Sequence, residues 1–135
     1  MYRFHIILFN LQVMFKNLLL IGSGGALGSI ARYAISQLTK RYWLHAFPMG
    51  TFLVNALGCL LIGLLIGYYS KINQDGMKLL LITGFCGGFT TFSSFASENI
   101  ALIQQNQMST SVLYILGSIF IGLLFVWIGI SLMKA

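Results

Sequence analysis

Acidic side chains are nearly missing from this sequence. Among 135 residues only Asp75 and Glu98 carry a side-chain carboxylate, against eight lysines and arginines. Charged residues make up 7% of the chain and hydrophobic ones 58%, for a mean hydropathy of +0.88. That balance excludes an ordinary soluble domain and points to an integral membrane protein. The shortage of acids also disposes of a nucleotide-binding reading of the N-terminal third. There Gly22-Ser23-Gly24-Gly25-Ala26-Leu27-Gly28 follows Leu18-Leu19-Leu20-Ile21, as if a strand opened into a dinucleotide turn. The glycine spacing does not fit, and no acid precedes Asp75 to hold a ribose about 20 residues downstream.

Other shortages narrow the field further. No nucleophile–base pair and no cluster of metal-ligating side chains stands out, which argues against an enzyme. The two cysteines, Cys59 and Cys86, fall inside apolar segments with no second ligand nearby and read as small buried hydrophobes. The net charge of +6 is scattered along the chain rather than clustered, which argues against nucleic acid as a partner. Lys71 and Lys78 flank one short loop, Lys40 and Arg41 another, and Lys134 closes the sequence. This is the fringe of membrane helices, and it raises the local concentration of anions at the protein's mouths.

What is present is apolar length. Four segments, near 17–38, 49–69, 77–104 and 111–133, each reach the roughly 20 residues needed to span a bilayer. They predict an all-α integral membrane protein with one compact four-helix domain over 14–135. Residues 1–13 form a preface, with Arg3 before an apolar run but no small-residue cleavage site, and Met14 serves equally well as a start. The preface is expected to be dispensable. Gly24 and Gly28, four apart, give the first helix a face that a neighbour can approach closely. Pro48 suits the first turn of the second helix, where Thr51 and Asn55 share a face and Gly63 and Gly67 continue a small-residue edge. Asp75-Gly76 signals the turn into the third. Lysine and arginine counts favour a cytoplasmic N-terminus only weakly.

The third segment carries the chemistry. Residues 84–95 read Gly-Phe-Cys-Gly-Gly-Phe-Thr-Thr-Phe-Ser-Ser-Phe, with four hydroxyls and a glycine pair at membrane depth. A bilayer rejects such a segment unless it is buried in protein or lines a wet cavity, so a helix broken near Gly87-Gly88 and an ion or solute path are expected. Arg32 and Glu98 are the charged residues well inside the spans, each costing about 2.5–3.5 kcal/mol at a helix centre. Arg32 either snorkels to the interface or serves function; Glu98 is interfacial, pairs with Arg32, or serves function. Phe92 and Phe95 lie three apart on one helical face. Their electropositive edges, beside hydroxyls, would favour a small anion without trapping it; the plainer reading is two core rings among eleven phenylalanines. Thr51, Asn55, Ser93, Tyr114 and Ser118 form either a ladder of hydrogen-bond donors or ordinary contacts between helices. Carbonyls freed at the break, at Gly87 and Thr90, are good ligands for a hard cation.

Three stretches together resemble the Fluc (CrcB) family of fluoride channels. They are Gly24-Gly25-x-x-Gly28 through Arg32-Tyr33, Gly50-Thr51-x-x-Val54-Asn55-x-x-Gly58, and residues 84–95 as quoted. The likeness runs from about Met14 over nearly the whole chain. It implies an antiparallel, dual-topology homodimer in the prokaryotic cell (inner) membrane, with two narrow pores that export fluoride passively. By that resemblance Phe92 and Phe95 are the pore phenylalanines, Asn55 the pore asparagine and Ser93 a pore hydroxyl. Thr51, Glu98, Tyr114 and Ser118 correspond to the polar track, and Arg32 to the vestibule arginine. The backbone carbonyls of Gly87 and Thr90, from both subunits, correspond to the ligands of a central structural sodium ion (Na+). Ser94, where the family often has threonine, keeps its hydroxyl; Leu60 stands where the family often has phenylalanine. Neither departure removes a pore donor.

Two other classes compete. A small proton-coupled multidrug exporter can also be a four-helix antiparallel dimer, but that chemistry resembles a glutamate in the first helix, and this one has no acid. A non-transporting membrane adaptor would use the glycines for packing alone.

Overall fold

The computed structural model describes the backbone of residues 2–72 and 74–134 and the side chains from Asn10 onward within them. Among the described residues, four helical spans are each long and apolar enough to cross a membrane: Asn10–Tyr42, Met49–Tyr69, Asp75–Gln104 and Met108–Lys134. The first helix begins earlier than its apolar segment, running unbroken over Tyr2–Tyr42 and taking in the preface. No proline or glycine interrupts residues 2–21, so extending the helix costs less than ending it. Lys40 and Arg41 occupy its last turn, where the helix dipole favours positive charge. Pro48 immediately precedes the second helix, Met49–Tyr69.

Glycine decides how the spans meet. The first helix lies along the leading half of the third, and the second lies along the fourth. At the first seam a Cβ on Gly28 would strike the Phe85 carbonyl oxygen and come within 2.8 Å of the Phe89 nitrogen. From the other side, a Cβ on Gly84 would lie 2.7 Å from the Ile21 oxygen and 3.0 Å from the Gly24 Cα. The glycine face expected on the first helix is therefore filled by the third. At the second seam a Cβ on Gly129 would stand 2.6 Å from the Leu64 nitrogen, and one on Gly67 2.6 Å from the Met133 Cβ. Small residues allow this approach, and dispersion between the backbones stabilises it where lipid offers no hydrophobic drive.

The third span is not a uniform helix. It starts as one α-turn, Asp75–Lys78, widens into a π-helix over Leu79–Cys86, and tightens again over Gly87–Phe89. Thr90 and Thr91 are extended, and a new α-helix runs over Phe92–Gln104. The break thus falls at Thr90-Thr91, two to three residues beyond the glycine pair near which it was expected. Gly87 is helical (φ −64°, ψ −38°), and Gly88 is drawn against the first helix, where a Cβ would sit 2.9 Å from the Gly25 Cα. Close packing, and not chain bending, explains Gly88. Outward, the first and fourth helices display Leu18, Leu27, Ile30, Leu116, Phe120 and Trp127, the surface expected against lipid or another membrane helix.

Candidate functional site

The break builds the site. Thr90 (φ −79°, ψ 159°) and Thr91 (φ −149°, ψ 120°) leave the helical ladder, so their backbone groups need partners at membrane depth. Asn55, from the second helix, supplies them. Its Oδ1 accepts from the Thr91 N–H at 2.8 Å and its Nδ2 donates to the Thr91 carbonyl at 3.1 Å. The absence of a side chain on Gly58, one turn further along, leaves room for the Thr90 methyl. Thr91 then caps the following helix. Its Oγ1 accepts from the Ser94 N–H at 3.2 Å, donates to the Ser94 Oγ at 3.1 Å, and lies 3.3 Å from the Ser93 Oγ. Asn55 was expected as a pore donor; here its amide braces the break, and one of its two amide protons remains beyond the bond to Thr91.

Two carbonyls lose their usual donors in consequence. The Thr91 N–H that would close a turn onto Gly87 goes to Asn55, and the Ser94 N–H four residues beyond Thr90 goes to Thr91 Oγ1. Gly87 is exposed, with nothing within 4 Å of a Cβ built on it. Among the described residues no group of three or more His, Cys, Asp or Glu could hold a metal ion.

About two turns beyond the break stands Glu98. Its Oε1 accepts from Thr51 Oγ1 at 2.7 Å and its Oε2 from the Tyr114 hydroxyl at 2.9 Å. Three spans therefore meet at one carboxylate. Pairing with Arg32 does not occur: among the described residues the ion pair is Lys78–Asp75, at 3.8 Å. Arg32 is half-buried on the first helix, and the cleft described below begins one turn later, at Ser36. Tyr114 is fully buried (0% exposed), whereas Phe92 is 80% exposed. The Phe92 and Phe95 ring centroids are 5.8 Å apart, and Phe95 meets the Tyr114 ring edge-on at 4.9 Å. Ser118, one turn beyond Tyr114 on the fourth helix, has a buried Oγ with no hydrogen-bond partner. A buried hydroxyl left unpaired is costly, and it is a ready donor to any acceptor that reaches it.

Above Glu98 a cleft of about 430 Å³ opens between residues 43–48 and the spans beneath. Thr51, Ser94 and Glu98 form its inner wall, and Lys40 and His45 stand on its outer wall. Sequence reasoning missed three contributors to this arrangement. Thr91 was counted among the hydroxyls but not seen as the cap, although a threonine just before a helical run is a capping signal. Asn99 donates to the Phe95 carbonyl at 2.8 Å and accepts from Ser111 at 2.9 Å, a buried clamp between the third and fourth spans. Phe47 touches Tyr114 from the loop, and no sequence signal could have found it.

The same chain matches the model of a known family, described as CrcB-like protein, Camphor Resistance (CrcB), over residues 19–130. A protein of Flavobacterium psychrophilum named fluoride-specific ion channel FluC is 46% identical over 121 residues, covering 88% of this chain and 98% of its own. Proteins of the same name from Azobacteroides pseudotrichonymphae (47% identical; 86% of this chain, 94% of its own) and Methylobacillus flagellatus (46%; 86% and 93%) match as well.

Proposed function

Because the chain belongs to the CrcB (FluC) family of fluoride channels, we propose that it exports fluoride passively through the cell membrane, past Phe92 and Phe95. The observation that carries this reading is the conjunction at the broken third span. Two ring edges, the capping hydroxyls and the Thr51–Glu98–Tyr114 triad occur together, next to a cleft that reaches Glu98. Fluoride gives up a tight hydration shell only where other donors replace it. The unpaired Ser118 hydroxyl offers its proton directly, Asn55 has one amide proton beyond its bond to Thr91, and Ser93 offers its proton by turning from Thr91 Oγ1, 3.3 Å away. Thr51 and Tyr114 each carry one hydroxyl proton, now given to Glu98, so either can meet fluoride only by turning from the carboxylate. Ring edges attract the anion weakly enough to let it leave. No group in this arrangement supplies an energy source, and flow follows the fluoride gradient, lowering cytoplasmic fluoride.

The working unit is an antiparallel, dual-topology homodimer. Supporting this, Phe92 and Gly87 are both exposed in the single chain. A structural sodium ion suits the carbonyls of Gly87 and Thr90, whose usual donors are spent elsewhere. When bound, it supplies fixed positive charge at the dimer centre. Arg32 serves the aqueous vestibule. Residues 1–13 are dispensable, so a chain beginning at Met14 conducts like the full one.

Efflux from proteoliposomes tests the proposal, with a fluoride electrode as the readout, valinomycin to clamp the voltage, and a chloride-loaded control. Rapid fluoride release with little chloride release, and no need of a proton gradient, is the expected result. Verified, folded dimer that releases no fluoride would sink the assignment.

A further inference from the structure

Tyr114 is held on three sides, and one of its supports comes from outside the spans. Its hydroxyl donates to Glu98 at 2.9 Å, and Phe95 meets its ring at 4.9 Å. On another side stands Phe47, edge-on at 5.3 Å and an interplanar angle of 71°. Phe47 belongs to the loop between the first two helices and is itself fixed. Its carbonyl accepts from the Trp43 indole N–H at 3.0 Å and from the Met49 N–H at 2.8 Å, and its ring meets Phe52 at 5.4 Å. It also lines the cleft that leads to Glu98. The rings therefore form a continuous series, Phe47 to Tyr114 to Phe95 to Phe92, that starts in the loop and ends at the exposed ring.

From this series we infer that Phe47 is a positioning residue for anion passage: through the Tyr114 ring it fixes where the Phe95 edge and the Tyr114 hydroxyl stand. The inference rests on the fluoride reading of Phe92 and Phe95. Ring edges and hydroxyls act on a small anion only at close range, so their spacing has to be held from behind. Glu98 fixes the Tyr114 hydroxyl through one hydrogen bond, and one bond at the tip of the ring does not set the ring's angle. Phe95 cannot restrain it alone, because Phe95 is one of the groups that must be positioned. Phe47, anchored through its own carbonyl in the loop, supplies the fixed wall.

The test uses Phe47→Leu and Phe47→Tyr in a Trp127→Phe background, where Trp43 is the remaining tryptophan and its emission reports the loop. Fluoride and chloride efflux are measured on purified dimer in liposomes. The leucine variant should lose about twofold to tenfold in fluoride flux, the worth of one edge-to-face ring contact. Its elution and Trp43 emission should match the parent, and the tyrosine variant should conduct normally. Phe47→Met, a flexible chain of similar volume, carries the test if the leucine variant does not assemble. Unchanged flux in the leucine variant would overturn the inference, as would equal losses in the leucine and tyrosine variants. So would a loss accompanied by shifted Trp43 emission, which would mean a rearranged loop. A parent protein that passes no fluoride sinks the channel reading and this one with it; a conducting parent beside an unaffected leucine variant sinks the positioning role alone.

Discussion

Phe92 and Phe95 are one turn apart but differ in how they are supported. Phe95 leans on a fully buried Tyr114, whereas Phe92 is 80% exposed and meets Phe95 across 5.8 Å. Replacing either with isoleucine removes an electropositive ring edge and should cut fluoride efflux more than about tenfold, with the dimer still eluting intact. Stability should separate the two. Phe95→Ile gives up the Tyr114 contact, worth about 1 kcal/mol, while Phe92→Ile costs the single chain almost nothing. Normal efflux in both folded variants would contradict the assignment. At this scale the sequence was informative where chemistry follows spacing: the three-residue interval of the rings and the four-residue interval of Thr51 and Asn55 put each pair on one face. It was silent where a contact crosses the fold. The chief partner of Asn55 is backbone, and nothing in the residues around Phe47 names Tyr114.

Among the helices, the instructive disagreement concerns the third. Gly87-Gly88 reads locally as a breaker, because glycine is a poor helix former. The chain bends instead at Thr90-Thr91, where Asn55 and the Thr91 side chain take over the backbone bonds that the helix gives up. A propensity scale cannot distinguish a glycine that bends a chain from one that admits a neighbour, since only the neighbour's backbone decides. Two glycines on the first helix provide a controlled comparison. Gly28→Ala would drive a methyl into Phe85 and Phe89 and should destabilise the protein by about 1–3 kcal/mol, lowering the melting temperature in detergent. Gly22→Ala meets nothing within 4 Å and should be neutral, or stabilising by up to about 1 kcal/mol. Equal melting temperatures for the two variants would contradict the close seam.

For the molecule as a whole, span number and apolar character were legible from hydropathy alone, but the surface that the proposed dimer would cover was not. Outward-facing apolar residues serve lipid and protein alike, so one chain's sequence cannot divide them. Gly87 can. A methyl there has open space within its own chain. Gly87→Ala should therefore leave the single-chain fold unchanged while reducing flux and the fraction of dimer, measured by efflux and by single-molecule subunit counting. Wild-type dimer and flux would remove Gly87 from the subunit interface. The seam of Gly24 and Gly28 against Gly84 and Gly88 has a consequence in time. Protein synthesis runs from the N-terminus, so the receiving groove on the first helix is complete well before the ribosome reaches the span that fills it. The third span brings a break and six hydroxyls into the bilayer, and on its own it is a poor candidate for release into lipid. A place already stands ready for its leading half when it emerges, and the order of manufacture matches the order of assembly.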